Sequence, residues 1–259
     1  MRASILTIGN EILKGRTINT NFSDIGRVLT FAGYDVYRGI VVRDDPAEIA
    51  WGITQCVGFS DLVVTSGGLG PTFDDMTVKC ISDALGLPVE TNAEALSMIK
   101  SKYLAQNLEL TPERMKMAML PRGSEPLPNP VGTAPGVFLQ YRGRTVVILP
   151  GVPSEMKAIL DSIISRIKVR DRAYYEDSIT LQGVMESTFA PIVAEEMKLA
   201  GGSVYIKSHP VSFELSTPVL EIEVSASATD DSAARNLVET TLKRLRAKYD
   251  ELMNGKTLR

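Results

Sequence analysis

Between residues 61 and 75 the chain reads Asp61-Leu-Val-Val-Thr-Ser-Gly-Gly-Leu-Gly-Pro-Thr-Phe-Asp-Asp75, and this stretch limits the possible folds more than any other. Leu62, Val63 and Val64 form a short apolar, β-branched run that suits a buried strand. Gly67, Gly68 and Gly70 then allow backbone angles and close approaches that a Cβ forbids. Asp74 and Asp75 sit at the expected start of a helix running from Met76 to Leu85, with Val78, Ile81, Ala84 and Leu85 on its apolar face. Gly86 and Pro88 close it. A strand, a glycine turn and a helix N-terminus together make an anion site from main-chain N–H groups. Two carboxylates beside that site would repel a bare phosphate, so they imply a divalent cation between acid and phosphate. The plainer alternative is a tight turn whose aspartates cap the helix.

The same pattern recurs upstream. Ala3 to Ile8 reads as a strand ending in the polar turn Gly9-Asn10-Glu11. A helix from about Asn21 follows, with Phe22, Ile25, Val28 and Leu29 on one face and Gly33 past its end. Asp35 to Val42 is a second strand. Asp45 caps a helix whose first residue is Pro46 and whose buried side carries Ile49, Ile53, Cys56 and Val57. Strands alternating with helices predict an α/β fold: a mostly parallel sheet with helices on both faces. In such sheets ligands bind beyond the carboxyl ends of the strands, where both polar turns fall.

Residues 89–120 are an excursion with a helix over Asn92 to Gln106 and a short capped one from Thr111-Pro112. It is either a lid or a packing insertion. Pro121 to Pro135 reads as loop and presents Thr133 toward a ligand. Val137 to Tyr141 and Thr145 to Leu149 flank Gly143 as a hairpin. The second of these strands runs through Pro150-Gly151-Val-Pro153 into a helix over Ser154–Ile167, a third wall for the same pocket. Val169 to Asp177 is polar and aperiodic and marks a boundary. Beyond it, strand 178–183, helix 187–199, strands 203–207 and 219–226 and helix 231–249 predict a small α+β domain. Asn254 to Arg259 are expected to fray.

With 259 residues and a net charge of −3, the chain has room for two domains and no basic footprint for nucleic acid. No apolar run is long enough to span a membrane. Met1-Arg2 enters a strand with no signal-peptide pattern, so the expected location is cytoplasmic. Cys56 and Cys80 read as buried structural thiols. A single histidine, His209, excludes histidine-rich zinc sites, so any metal must be held by oxygen.

The motifs Gly9-Asn-Glu-Ile-Leu-Lys-Gly15, Asn19-Thr-Asn21, Ser66-Gly-Gly-Leu-Gly-Pro-Thr-Phe-Asp-Asp75, Gly132-Thr-Ala-Pro-Gly136 and Leu149-Pro-Gly-Val-Pro-Ser-Glu-Met156 occur in this order. Together they resemble the N-terminal domain of the CinA (competence/damage-inducible) family, similar in fold to molybdopterin-binding proteins. The resemblance implies a molybdopterin-binding-like domain over 1–168 and a small KH-like domain over 178–250. Full-length bacterial members carry a further deamidase domain; the chain ends before one, so that activity is not expected.

The resemblance further implies a metal-dependent hydrolase that cleaves the pyrophosphate of ADP-ribose, or of a related nucleoside diphosphate compound, to AMP and a sugar phosphate. It also implies a homodimer. Asp74, Asp75 and Glu11 would be the catalytic groups and the ligands of magnesium, manganese or cobalt. Gly9, Asn10, Asn21, Ser66, Gly67, Gly68, Gly70, Thr72, Thr133 and Gly151 would bind the nucleotide substrate. Asn10 stands where many relatives carry aspartate, which removes one possible carboxylate. The alternative is a protein of the molybdenum-cofactor type that binds molybdopterin or a nucleotide, or transfers an adenylyl group. A scaffold with a degenerate pocket is the third reading. Fold alone does not choose among them.

Overall fold

The computed structural model describes residues 1–211 and 218–257. Its contacts divide the chain into two compact units: Met1–Thr30 with Tyr34–Lys168, and Phe31–Gly33 with Val169–Arg259.

In the first unit the order is β1 (Arg2–Ile8), α1 (Asn10–Leu13), α2 (Thr20–Phe31), β2 (Asp35–Val42), α3 (Pro46–Phe59), β3 (Leu62–Ser66), α4 (Thr77–Leu85), β4 (Val89–Thr91), α5 (Ala93–Ala105) and α6 (Pro112–Lys116). It continues with β5 (Met119–Pro121), β6 (Glu125–Leu127), β7 (Gly136–Tyr141), β8 (Arg144–Leu149) and α7 (Pro153–Ile167). The main sheet runs β2-β1-β3-β8-β7-β6. β2, β1, β3 and β8 are parallel, and β7 and β6 extend the sheet antiparallel.

Alternation along β1 feeds two layers, as the period of two requires. Leu6 and Ile8 pack in one buried cluster with Ile49 and Ile53 of α3 and Ile81 of α4. Ile5 points the other way, toward Gly26 of α2. Helices on both faces of a largely parallel sheet are the expected α/β class. Two local signals act as read: Asp45 caps α3 by accepting from the N–H groups of Ala47 and Glu48, and Gly86 ends α4 in the left-handed region; Asn92, read as the first residue of its helix, is the cap of α5.

Several readings need correction. The turn after β1 contains the short helix α1. The loop over 121–135 contains the strand β6, which escaped notice because Pro126 lies in an edge strand, where a missing N–H costs nothing. Strands β4 and β5 pair with each other, and Ala95, Ile99, Ala118 and Leu120 join the buried cluster. The excursion is therefore part of the packed core.

The second unit holds β9 (Ala173–Gln182), α8 (Glu186–Leu199), β10 (Val204–Pro210), β11 (Val219–Ala228) and α9 (Asp231–Thr257). The sheet order is β10-β11-β9, all antiparallel. The expected βαββα order is observed. β9 begins five residues earlier than the strand expected from 178, because Tyr174 and Tyr175 are good strand formers inside a stretch read as boundary. α9 continues through the segment expected to fray, up to Thr257; Leu258 and Arg259 lie outside the described residues. Phe189, Leu181, Ile222, Val224 and Leu245 form the core.

Candidate functional site

Three turns meet at the carboxyl edge of β1, β3 and β8, as anticipated. Adjacent parallel strands force this, because their ends lie side by side. The Gly67 N–H donates to Leu149 O at 3.0 Å, and a Cβ on Gly67 would run into Ile8 O. Gly67 has a φ of 118°, so only glycine fits both the angle and the approach. Gly151 packs on Gly67, its would-be Cβ 3.4 Å from the Gly67 Cα. Asn21, at the start of α2, ties the set together. Its Nδ2 donates to Ser66 Oγ at 2.7 Å and to Gly151 O at 2.8 Å. Its buried Oδ1 has no hydrogen-bond partner among the described residues.

The glycine loop offers an anion three amides rather than four. Gly67 spends its N–H on β8, whereas among the described residues no hydrogen-bond partner is found for the N–H groups of Gly68, Leu69 and Gly70. Gly68, with a φ of 68°, lies against Thr77 Oγ1, and the Thr77 N–H donates to Gly68 O at 3.3 Å. The loop is thus strapped to the first turn of α4, where an anion also meets the helix dipole.

Asp74 and Asp75 do not cap α4. They lie in the preceding turn, closed by the Asp75 N–H on Thr72 O. The Thr72 N–H donates to Asp75 Oδ2 at 3.0 Å. The Thr72 hydroxyl is within hydrogen-bond distance of that oxygen, at 2.6 Å, and of Asp74 Oδ1. Chiefly that hydroxyl, and then the main chain and the Lys116 charge, hold the Asp74 carboxyl below its ordinary value. Lys116 Nζ also donates to Thr72 O at 2.6 Å.

Glu11 is not gathered with this pair. It lines a small cleft of about 80 Å³ with Thr7, Ile18, Asn19, Asn21, Ser66 and Gly151. Asp75 instead lines a larger cavity of about 370 Å³, together with Gly68, Gly70, Lys79, Lys116 and Pro135. Leu87, Met117, Met119 and Leu120 give that cavity an apolar floor. Among the described residues no group of three or more His, Cys, Asp or Glu side chains could hold a metal. The structure does not gather the expected set of Glu11, Asp74 and Asp75: Glu11, after β1, and Asp75, after β3, line different pockets, and Asp74 lines neither.

Sequence reading missed several supports. The Asn10 N–H donates to Asp44 Oδ2 at 2.8 Å; the neighbouring Asp45 drew attention as the cap of α3. Asn129 is buried and staples the loop around Thr133. Its Oδ1 accepts from the N–H groups of Val131 and Gly132, and its Nδ2 donates to Ala134 O and Glu155 Oε2. Lys102 of α5 donates to Asn129 O and Gly132 O. Thr133 lines neither pocket. Pro135, just beyond it, does.

Cys56 and Cys80 are free and buried, and burial pushes the Cys56 thiol up to about 11. No helix among the described residues is long and apolar enough to cross a membrane.

Residues 4–169 match the family described as "Probable molybdopterin binding domain". A protein of Caldivirga maquilingensis is 54% identical over 245 residues, covering 95% of each chain. Protein TV0584 of Thermoplasma volcanium is 48% identical over 254 residues, covering 98% of each. A crystal structure of "the protein CinA with unknown function from Thermoplasma acidophilum" is 52% identical with a TM-score of 0.62 and covers 64% of this chain and 97% of that one. The chain therefore belongs to the family of probable molybdopterin-binding domains and has a CinA-like fold.

Proposed function

We propose that the first unit binds a phosphate-bearing heteroaromatic ligand, molybdopterin or an adenine nucleotide, as a protein of the molybdenum-cofactor type that holds such a ligand or passes an adenylyl group to it. One observation supports this above the rest: a roomy cavity with an apolar floor opens directly beside three unpartnered amides at a helix start. Its volume lies in the range of small-molecule sites. The family description names the same ligand class. The binder thus leads, in place of the ADP-ribose hydrolase that led from the motifs.

A divalent ion, magnesium, manganese or cobalt, belongs to this proposal. Asp74 and Asp75 would hold it. Two carboxylates completed by ligand phosphates are the coordination magnesium prefers, so the pair fits even without Glu11. When bound, such an ion neutralises charge on the phosphates. The hydrolase reading rests on the same pair, with Asp75 facing the cavity where a diphosphate would lie. The second unit is proposed as a KH-like interaction module, on its βαββα order, and the whole chain as a homodimer.

Calorimetric titration of the full chain with molybdopterin, AMP and ADP-ribose, each with and without magnesium, tests the reading. Micromolar or tighter binding of molybdopterin or AMP is expected. Silence toward all three sinks it. Release of AMP from ADP-ribose with magnesium, manganese or cobalt would favour the hydrolase, and Asp75→Asn should then slow release about 100-fold.

A further inference from the structure

Two cations line the large cavity, Lys79 and Lys116, and they are held differently. Lys79 is neutralised by Asp83, one turn further along α4, at 2.5 Å. Lys116, the last residue of α6, makes no ion pair among the described residues; its Nζ donates to Thr72 O at 2.6 Å. The same carbonyl accepts the Asp75 N–H, and Asp75 lines the cavity as well. The half-buried Lys116 thus has its charged head at the cavity wall. An ammonium carries three N–H groups, and Thr72 O takes one of them.

The plainer account is a staple between α6 and the acid turn. A staple needs a donor and no charge. A half-buried cation whose one hydrogen-bond partner is a neutral carbonyl loses hydration that this partner replaces only in part. Asp74 feels the charge, yet it is exposed and forms no ion pair with it. An anion in the cavity would complete the shell of the ammonium. Gly68, Leu69 and Gly70 line the same cavity, and their N–H groups are unspent too. Main-chain amides and an ammonium on one space make a phosphate-binding set. We infer that Lys116 is a phosphate-binding residue of the cavity, one that lets the site grip a phosphorylated ligand without a metal ion and makes α6 a working wall of the site. The inference rests on the proposed phosphate-bearing ligand class and deepens it by naming the cation that meets the phosphate.

Calorimetry of the full chain in EDTA tests it, with AMP, neopterin monophosphate and pyrophosphate as probes, repeated with magnesium in place of EDTA. Loss of one charge-assisted contact should weaken every probe about tenfold or more in Lys116→Met. Lys116→Arg, which keeps the charge, should bind within about threefold of the parent. The deficit of Lys116→Met should shrink as salt is raised, since a charge is what it lacks. Thermal unfolding separates a grip from a staple, and parental melting beside lost affinity is expected. If Lys116→Met melts early, Lys116→Gln decides, because it offers Thr72 O a donor without a charge: weakened probes with parental melting support the grip, and parental affinity overturns it. Early melting of both neutral variants makes the role structural and also overturns it, as does unchanged affinity in Lys116→Met. Should the parent bind the probes only with magnesium, the metal supplies the charge, and this inference falls while the proposed function stands. If the parent binds none of them under either condition, the proposed function fails and the role of Lys116 with it.

Discussion

Thr72 shows how much one small side chain can organise. Its hydroxyl faces two carboxylates at once, and it is the main reason the Asp74 carboxyl titrates low. A lowered folded-state value contributes stability above the unfolded pKa, which is lost as pH falls through the folded value. Thr72→Val should therefore raise the Asp74 titration toward the ordinary carboxylate range, readable by NMR; an unmoved titration refutes the assignment. Gly67 is the other decisive residue, with a left-handed backbone and no space for a Cβ. Gly67→Ala should cost about 2–3 kcal/mol in denaturant unfolding, while a cost near zero would mean that the loop relaxes freely. Glycine type and spacing were legible in the chain. The Thr72 linkage was not, because a Thr-x-Asp-Asp string fits a helix cap equally well.

Among the elements, the loop between β6 and β7 illustrates support that spacing hides. Asn129 satisfies four polar groups in and around that loop, yet Lys102 and Glu155 are 27 and 26 residues away. Asn129→Ala leaves buried partners unpaired and should cost about 2–3 kcal/mol, with faster amide exchange confined to 129–134 as the specific readout. In the second unit, α8 and α9 are joined through Glu196, 1% exposed, which accepts from Arg244 Nε at 2.8 Å. Arg244→Met strands that carboxylate and should cost about 3 kcal/mol, the low end for a broken pair because Arg244 is partly solvated. Adding Glu196→Gln should recover part of the loss in thermal unfolding. Helix starts and stops around these elements were readable, since caps act over three residues. Short edge strands were not, since pairing rather than propensity makes them.

For the molecule as a whole, the contacts form two compact units, and the solved CinA relative is covered at 97% of its length by 64% of this chain. A chain ending at Lys168 should therefore fold cooperatively and bind the same ligands with affinity within about threefold of the full chain. Aggregation or loss of binding would show that the first unit depends on the second.

Periodicity, caps and glycine positions were enough to establish the α/β class, the strand-turn-helix units and the βαββα order, because each is written within a few consecutive residues. Pocket membership required the folded chain. Strand order β2-β1-β3-β8 brings Ile8, Ser66 and Leu149 to one edge, yet the segments that follow carry Glu11, in α1, and Asp75, in the turn before α4, to separate pockets. The course of those segments is set by packing against both faces of the sheet, and no local pattern carries that information.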